Sequence, residues 1–339
     1  MSRLLAFQSL LKASSFFKLV CGAGNENANE VEYLAYIYTL AGCTGFDVSC
    51  APDIVNSAFV GIDKAMRDSL SYNIKVDIRP FIISSVGMPG DHHVRKAIID
   101  HDKCVNCNLC IPVCPTEAIP DSLNVISGLC IGCGNCESVC PPAANAIKYE
   151  HNAKELQTLL PQVLQAGAES IELHAGVPDD STTLNEWGIV CDAVQDGMVS
   201  ICLDRFHLSN MHLVERIKLA HEVAKDRLIV QADGIPMSGG SDDYNTTLQA
   251  VSIADIINKE LKLKDIRYRN IPVLISGGTN SYTGILARTC NVPFNGITIG
   301  THARKLVSPF RSHDDRLDAD KVLAAVAVAN TLITTNLGS

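Results

Sequence analysis

Short apolar runs, rich in β-branched and aromatic residues, recur along the chain. Each ends at or beside Gly, Pro or Asp and is followed by a stretch with helical spacing of its apolar residues. The runs are Phe17 to Gly22, Phe46 to Ala51, Ile78 to Val86, Ser170 to Ala175, Met198 to Asp204, Leu228 to Asp233, Ile271 to Gly277 and Gly296 to Gly300. Between them the spacing predicts helices over Glu30–Ala41, Ile54–Leu70, Ala153–Gly167, Leu184–Gln195, His212–Lys225, Thr247–Lys262, Tyr282–Thr289 and Asp318–Thr331. Strict alternation of strand and helix predicts an α/β fold, a (β/α)8 TIM-like barrel. A doubly wound sheet would want a glycine fingerprint after the first strand. Gly22 and Gly24 are there, but Asn27 stands where the third glycine belongs, so the pair reads as a turn. The segment before the first strand, with Arg3 and Lys12 around a short apolar stretch, reads as a helix plugging the barrel rather than a targeting signal.

One stretch breaks the rhythm. Between the third strand and the third helix, Cys104, Cys107, Cys110 and Cys114 are followed by Pro115, and Cys130, Cys133, Cys136 and Cys140 by Pro141. This is C-x2-C-x2-C-x3-C-P, repeated at an offset of 26 residues. Three cysteines at this spacing wrap a loop around one cubane, and the fourth, too far along the chain, ligates the other cluster. The expected ligand sets are therefore Cys104, Cys107, Cys110 and Cys140 for one [4Fe–4S] cluster, and Cys130, Cys133, Cys136 and Cys114 for the second. Zinc prefers two separated C-x2-C pairs, and a disulfide framework does not suit a chain read as cytoplasmic. Ile111, Val113, Ile119, Ile126, Ile131, Val139 and Ile147 interleave with the ligands and are expected to sheathe the clusters. After Cys114 the chain reads PTEAI, and after Cys140 PPAANAI; the two extra residues are expected to alter a turn and not the ligand set.

The domain organisation that follows is residues 1–90 for the first three strands of the barrel, 91–150 for an inserted bacterial-type 2[4Fe–4S] ferredoxin domain, and 151–339 for the rest of the barrel. An insertion after strand three lies at the C-terminal face, where barrel active sites form. Ser276, Gly277, Gly278, Gly300, Thr301 and Arg304, from the loops after strands seven and eight, are the candidates for a phosphate or FMN grip of the kind seen in FMN-binding barrels. Other polar strand ends are Asn25, Glu26, Asn27, Asp53, Ser84, Ser85, Asp204, Arg205, Gln231 and Asp233. No strand end offers a lysine before Lys305, and His174 and His302 are the candidate proton donors. His92, His93, Arg95 and Lys96 read as a brace for the insertion, and Cys50 as the one spare thiol placed for redox chemistry.

Charge narrows the partners. A net charge of −9 argues against nucleic acid, and no apolar run approaches the roughly 20 residues of a membrane span. The most apolar stretch, Val322 to Ile333, reads as a buried helix.

The cysteine runs sit in a chain carrying FFKLVCGAGNENANEVEYLAYIYTLAG, GFDVSCAPDIV, ESIELHAG and PVLISGGTNSYTG. Together these segments resemble the cyanobacterial light-dependent period family, iron–sulfur proteins associated with the circadian clock. The resemblance implies a sensor of cellular redox state, set by photosynthetic electron flow, with redox proteins and clock-associated proteins as partners. It supplies no catalytic residues. Two function classes lead: a redox sensor, and an iron–sulfur flavoenzyme whose clusters feed electrons to a flavin at the barrel mouth; a plain two-cluster electron carrier fits the motif but leaves the barrel unexplained.

Overall fold

In the computed structural model, described for all residues except 1, 23–25, 89–95, 128, 131, 151–155, 235–242, 312–317 and 339, eight parallel strands close into a barrel. They are β1 (Phe16–Val20), β2 (Gly45–Ser49), β3 (Phe81–Gly87), β6 (Ser170–His174), β7 (Val199–Leu203), β8 (Leu228–Asp233), β9 (Val273–Gly278) and β10 (Gly296–Ile299), in the order β1-β10-β9-β8-β7-β6-β3-β2. The surrounding helices are α2 (Ala28–Leu40), α3 (Pro52–Asp68), α5 (Leu156–Ala166), α6 (Asp180–Val194), α7 (Asn210–Ala224), α8 (Asp243–Ile256), α9 (Thr283–Thr289), α10 (Thr301–Val307) and α11 (Ala319–Leu337). The expected TIM-like barrel is present, with the insertion after β3.

Strand period explains the layers. Phe17 and Leu19, Phe46 and Val48, Ile171 and Leu173, and Ile297 and Ile299 alternate along their strands and pack in the main core with the helices. The residues between them face the barrel axis. At the lower end these are apolar: Phe16, Phe81, Ile83, Ile229 and Leu274 meet Ala6, Phe7, Leu10 and Leu11 of α1 (Arg3–Lys12). The predicted plug is thus in place. Phe7 stacks on Phe81 with ring centroids 4.4 Å apart. Arg3 clamps the plug to the rim by pairing with Glu169 at 2.6 Å and donating to the carbonyls of Arg79 and Pro80.

Several boundaries differ from the sequence pattern. The third strand starts at Phe81 and not Ile78, because Pro80 offers no N–H to a ladder. Helices α6 and α7 start earlier than their first apolar residues, where Asp179 accepts from the Thr182 amide and Ser209 from that of His212. The last helix runs on to Leu337 and stops at Gly338, which adopts φ 79°. Short helix α10, which the pattern does not predict, follows β10 directly.

Glu186 of α6 is almost wholly buried, and burial raises its carboxyl to about 7. Its folded-state value lies above its ordinary one, so stability should fall as pH rises from about 4.5 to about 7. The full loss is at most about 3.5 kcal/mol, since each tenfold change in a protonation equilibrium is worth about 1.4 kcal/mol. Urea unfolding of Glu186→Gln is expected to lack that decline and to exceed wild type in stability at pH 8; parallel pH profiles would contradict it.

Candidate functional site

The insertion is closed by an antiparallel pair, β4 (Lys96–Ile99) and β5 (Ile147–Glu150), with Ile99 opposite Ile147. Ala97, Ile99 and Ile147 of this pair form a small core with Ala118, Ile119, Leu123, Cys130 and Cys136. Two cavities flank that core. One is lined by Cys104, Cys107, Cys110 and Cys140; the other by Cys114, Cys130, Cys133 and Cys136. Each cavity therefore meets three cysteines of one run and the last cysteine of the other.

The two halves match in backbone as well as in ligands. Asn106 and Asn108 in the first run have φ of 53° and 58°, and Gly132 and Gly134 at the matching positions of the second have 65° and 83°. Left-handed backbone on both sides of the middle cysteine curls each run around its cavity, and Asn and Gly are the residues that accept it. The two-residue insertion is absorbed in the turn. Glu117 and Asn145 are both left-handed, at φ 52° and 43°, and the residue after each donates its amide back to sulfur. Ala118 N reaches Cys114 Sγ at 3.2 Å, and Ala146 N reaches Cys140 Sγ at 3.4 Å. Ala97 N does the same for Cys130 Sγ at 3.4 Å. Such N–H···S bonds favour negative charge on sulfur.

Four soft sulfur donors around one cavity suit a [4Fe–4S] group. Burial pushes the Cys136 thiol up to about 12, so a thiolate there calls for the positive charge of bound iron. The expected sheath is only partly realised. Ile119 and Ile147 are buried and Ile111 packs beside them, but Ile126 is exposed, and Ile131 lies outside the described residues. At the first cavity Cys107 is exposed, as are its neighbours Val105 and Leu109. Beside the second cavity Lys96, half-buried, donates to the Cys130 carbonyl at 2.5 Å and feels the carboxylate of Glu26 in the loop between β1 and α2.

The barrel interior holds what strand-end reading misses. Lys18 of β1 is fully buried and pairs with Asp47 at 2.9 Å and Glu172 at 2.8 Å. Glu172 also accepts from Ser200 at 2.6 Å and Gln231 at 2.9 Å, and Gln231 in turn accepts from Thr298 at 3.0 Å. Ser85 donates to Asp47. Burial raises the Glu172 carboxyl, while Lys18 and Ser85 hold that of Asp47 low against the same burial. Lys18 itself is pushed upward by its two carboxylates, despite burial that works the other way. An amine held charged in this way is no Schiff-base nucleophile. The signal was in the strands, where Lys18, Asp47, Glu172, Ser200 and Gln231 each sit between apolar neighbours at period two.

The phosphate candidates converge in space but are engaged with the chain. Gly300 N donates to Gly278 O at 3.1 Å, and Thr279 N to Gly277 O at 2.6 Å. Arg304 donates to the Cys21 carbonyl and to Thr301 Oγ1, each at 3.2 Å. Ser276 is buried on β9, where its register partner on β8 is Asp233. His174 lies in the interior beside Glu172, whereas His302 is on α10; the two come from different parts of the rim. Ser84 faces away from the axis toward Ser49 O, Asn27 caps α2, and Asp53 and Arg205 are exposed. Asp204 accepts from the Phe206 amide at 2.7 Å, and Glu26 from that of Ser49 at 2.8 Å. Burial pushes the Cys50 thiol up to about 11, whereas thiolate reactivity is favoured by a low value. Gly24, Asn25, His92, His93 and Arg95 lie outside the described residues.

Among solved structures, the chain is similar to a deoxyribose-phosphate aldolase from Toxoplasma gondii at 11% identity. The TM-score is 0.47, with 98% of this chain and 97% of that chain covered. It is likewise similar to the YdjI aldolase of Escherichia coli at 8% identity and a TM-score of 0.46, again covering 98% of this chain and 97% of that one. Among curated proteins it is 29% identical, over 95% of its own length and 91% of the other, to Light dependent period A of Synechococcus elongatus. Residues 97–119 and 123–144 match the 4Fe-4S binding domain model, so the chain is an iron–sulfur protein of that type. None of its described helices is long and apolar enough to cross a membrane. Residues 162–335, just over half of the chain, match the model of the Light dependent period A C-terminal domain, and the protein therefore belongs to the light dependent period A family.

Proposed function

We propose that this protein is a redox sensor whose two [4Fe–4S] clusters relay cellular redox state, as set by photosynthetic electron flow, to the circadian clock. Cys104, Cys107, Cys110 and Cys140 hold one cluster, and Cys114, Cys130, Cys133 and Cys136 the other. The observation that carries this reading is the pair of four-cysteine cavities, each assembled from both runs. The clusters supply one-electron exchange when bound; the chain's part is to hold them, shield them and couple them to the barrel. Exposed Cys107, between Val105 and Leu109, gives the first site an open face toward a redox partner. Lys96, between Cys130 and Glu26, gives the second a charged link to the rim, through which a change of charge at the cluster is felt by the barrel. The name of the Synechococcus relative, Light dependent period A, supports the clock as the receiver.

The flavoenzyme alternative draws on the polar barrel interior, but the amides of Thr279 and Gly300 and the Arg304 guanidinium already serve the chain's own acceptors. Anaerobically purified protein is expected to carry about eight irons and eight sulfides per chain, with no stoichiometric acid-released flavin. Flavin at one per chain would move the function to the enzyme. Four irons or fewer after anaerobic reconstitution would remove the basis of both readings.

A further inference from the structure

The barrel interior brings together a second set of ligand-type side chains, separate from the cysteine runs. Glu172 and His174 lie two residues apart on β6 and so face the same side of the sheet. Cys202 on β7 is the direct register partner of His174. The carboxylate, imidazole and thiol donor atoms all lie within 4.8 Å of one another, and all three residues are buried. His174 Nε2 is 3.7 Å from Glu172 Oε1. On the far side of the thiol, Asp233 Oδ2 is 3.5 Å from Cys202 Sγ, and its other oxygen is tied to the Gly234 amide.

These are the donor types zinc takes, and ligands at about 2.0–2.3 Å in a tetrahedron stand about 3.3–3.8 Å apart. A small contraction of the observed group reaches that geometry. Glu172 is also held as metal-binding carboxylates are held, by Lys18 and Ser200 on one oxygen and Gln231 on the other. Charge points the same way. Asp47 and Glu172, both buried, pair with the buried ammonium of Lys18, and buried Asp233 lies beside the Cys202 thiol. A divalent ion is the kind of charge that stabilises carboxylates buried together in this way. We propose that Glu172, His174 and Cys202 form a zinc site in the upper barrel, with Asp233 placed as the fourth ligand.

The test uses anaerobically purified, iron-loaded protein equilibrated with zinc chloride against a competing chelator. Metals are counted per chain and the zinc environment is read by X-ray absorption. The expected result is an unchanged iron content plus one zinc, with one sulfur neighbour at about 2.3 Å and the remaining nitrogen or oxygen neighbours at about 2.0–2.2 Å. Cys202→Ser should lose the sulfur neighbour, and His174→Gln should weaken zinc at least tenfold, both with iron unchanged. Zinc surrounded by sulfur alone would mean that it had entered the cysteine runs, and would overturn the proposal. So would no retained zinc, or a sulfur neighbour that survives in Cys202→Ser. If either variant fails to fold, the wild-type absorption spectrum still decides between a mixed shell, an all-sulfur shell and none.

Discussion

A chain carrying both Cys107→Ser and Cys140→Ser is expected to retain four of its eight irons, whereas one carrying Cys133→Ser and Cys140→Ser should retain none. The first pair strikes one cavity twice; the second pair strikes both. If each run instead held its own cluster, the outcomes would exchange, because Cys133 and Cys140 belong to the same run in sequence. Iron and sulfide content after anaerobic reconstitution reads the result directly, and EPR of the reduced protein reports which cluster survives. The effect is large because a [4Fe–4S] group needs four thiolates and serine is a poor substitute for the soft sulfur donor. The same variants address signalling. With Cys107→Ser alone, the open site beside Val105 and Leu109 is lost, and redox-dependent binding to a partner should go with it. Retained redox-dependent binding in that variant would place the sensing in the second cluster.

The crossed lining of the two cavities was legible because it rests on spacing. Three ligands at x2 intervals and a fourth beyond them, next to a helix-breaking proline, leave the fourth thiol no route back to its own cavity. The barrel was legible for a similar reason: eight apolar runs and eight helical stretches in alternation leave few packings. Boundaries were less so. Asp179 and Ser209 begin helices before any apolar residue marks them, because a cap serves backbone amides and not the core. The interior was the larger omission. Looking for chemistry only at strand ends passes over Lys18, Asp47 and Glu172, which sit in mid-strand with apolar residues on both sides. Barrel interiors are usually filled by branched apolar side chains, so a polar residue there reads at first as an interruption of a strand. Partners such as Lys18 and Glu172 come from strands far apart in sequence, and only the closed sheet brings β1 and β6, three strands apart around the barrel, to a shared interior. The phosphate grip fails to emerge for a complementary reason. Glycines at two strand ends predict free amides, but whether Gly300 N meets a ligand or Gly278 O is decided by the register between β9 and β10, which shifts between Thr298 and Ile299.

Lys18→Met is expected to destabilise the barrel by about 3–5 kcal/mol, the usual cost of removing one partner from a buried ion pair. Met matches the length of the lysine stem, so the loss is electrostatic and not a cavity. Asp47 and Glu172, both buried, would face each other without the ammonium between them. The pH dependence carries the argument further. In the wild type, Lys18 and Ser85 hold the Asp47 carboxyl below its ordinary value, and the stability this contributes is lost only as pH falls through that depressed value. In Lys18→Met both carboxyls should rise above their unfolded values, so the variant binds protons on folding and gains stability as pH falls from 8 toward 5. The deficit relative to wild type is therefore widest at pH 8 and narrows in acid. Adding Asp47→Asn and Glu172→Gln to Lys18→Met should recover more than half of the loss at pH 8, because the neutral amides remove the unpaired charge while keeping the shape. Iron content should stay at the wild-type level throughout, since the cysteine runs lie in the insertion above the barrel. A Lys18→Met protein within 1 kcal/mol of wild type at every pH would mean that water or a bound ion, and not the lysine, balances these carboxylates. A loss that the triple variant recovers would have the opposite meaning. The barrel would then be about as stable with a neutral interior, and the charged set would be there for what it binds.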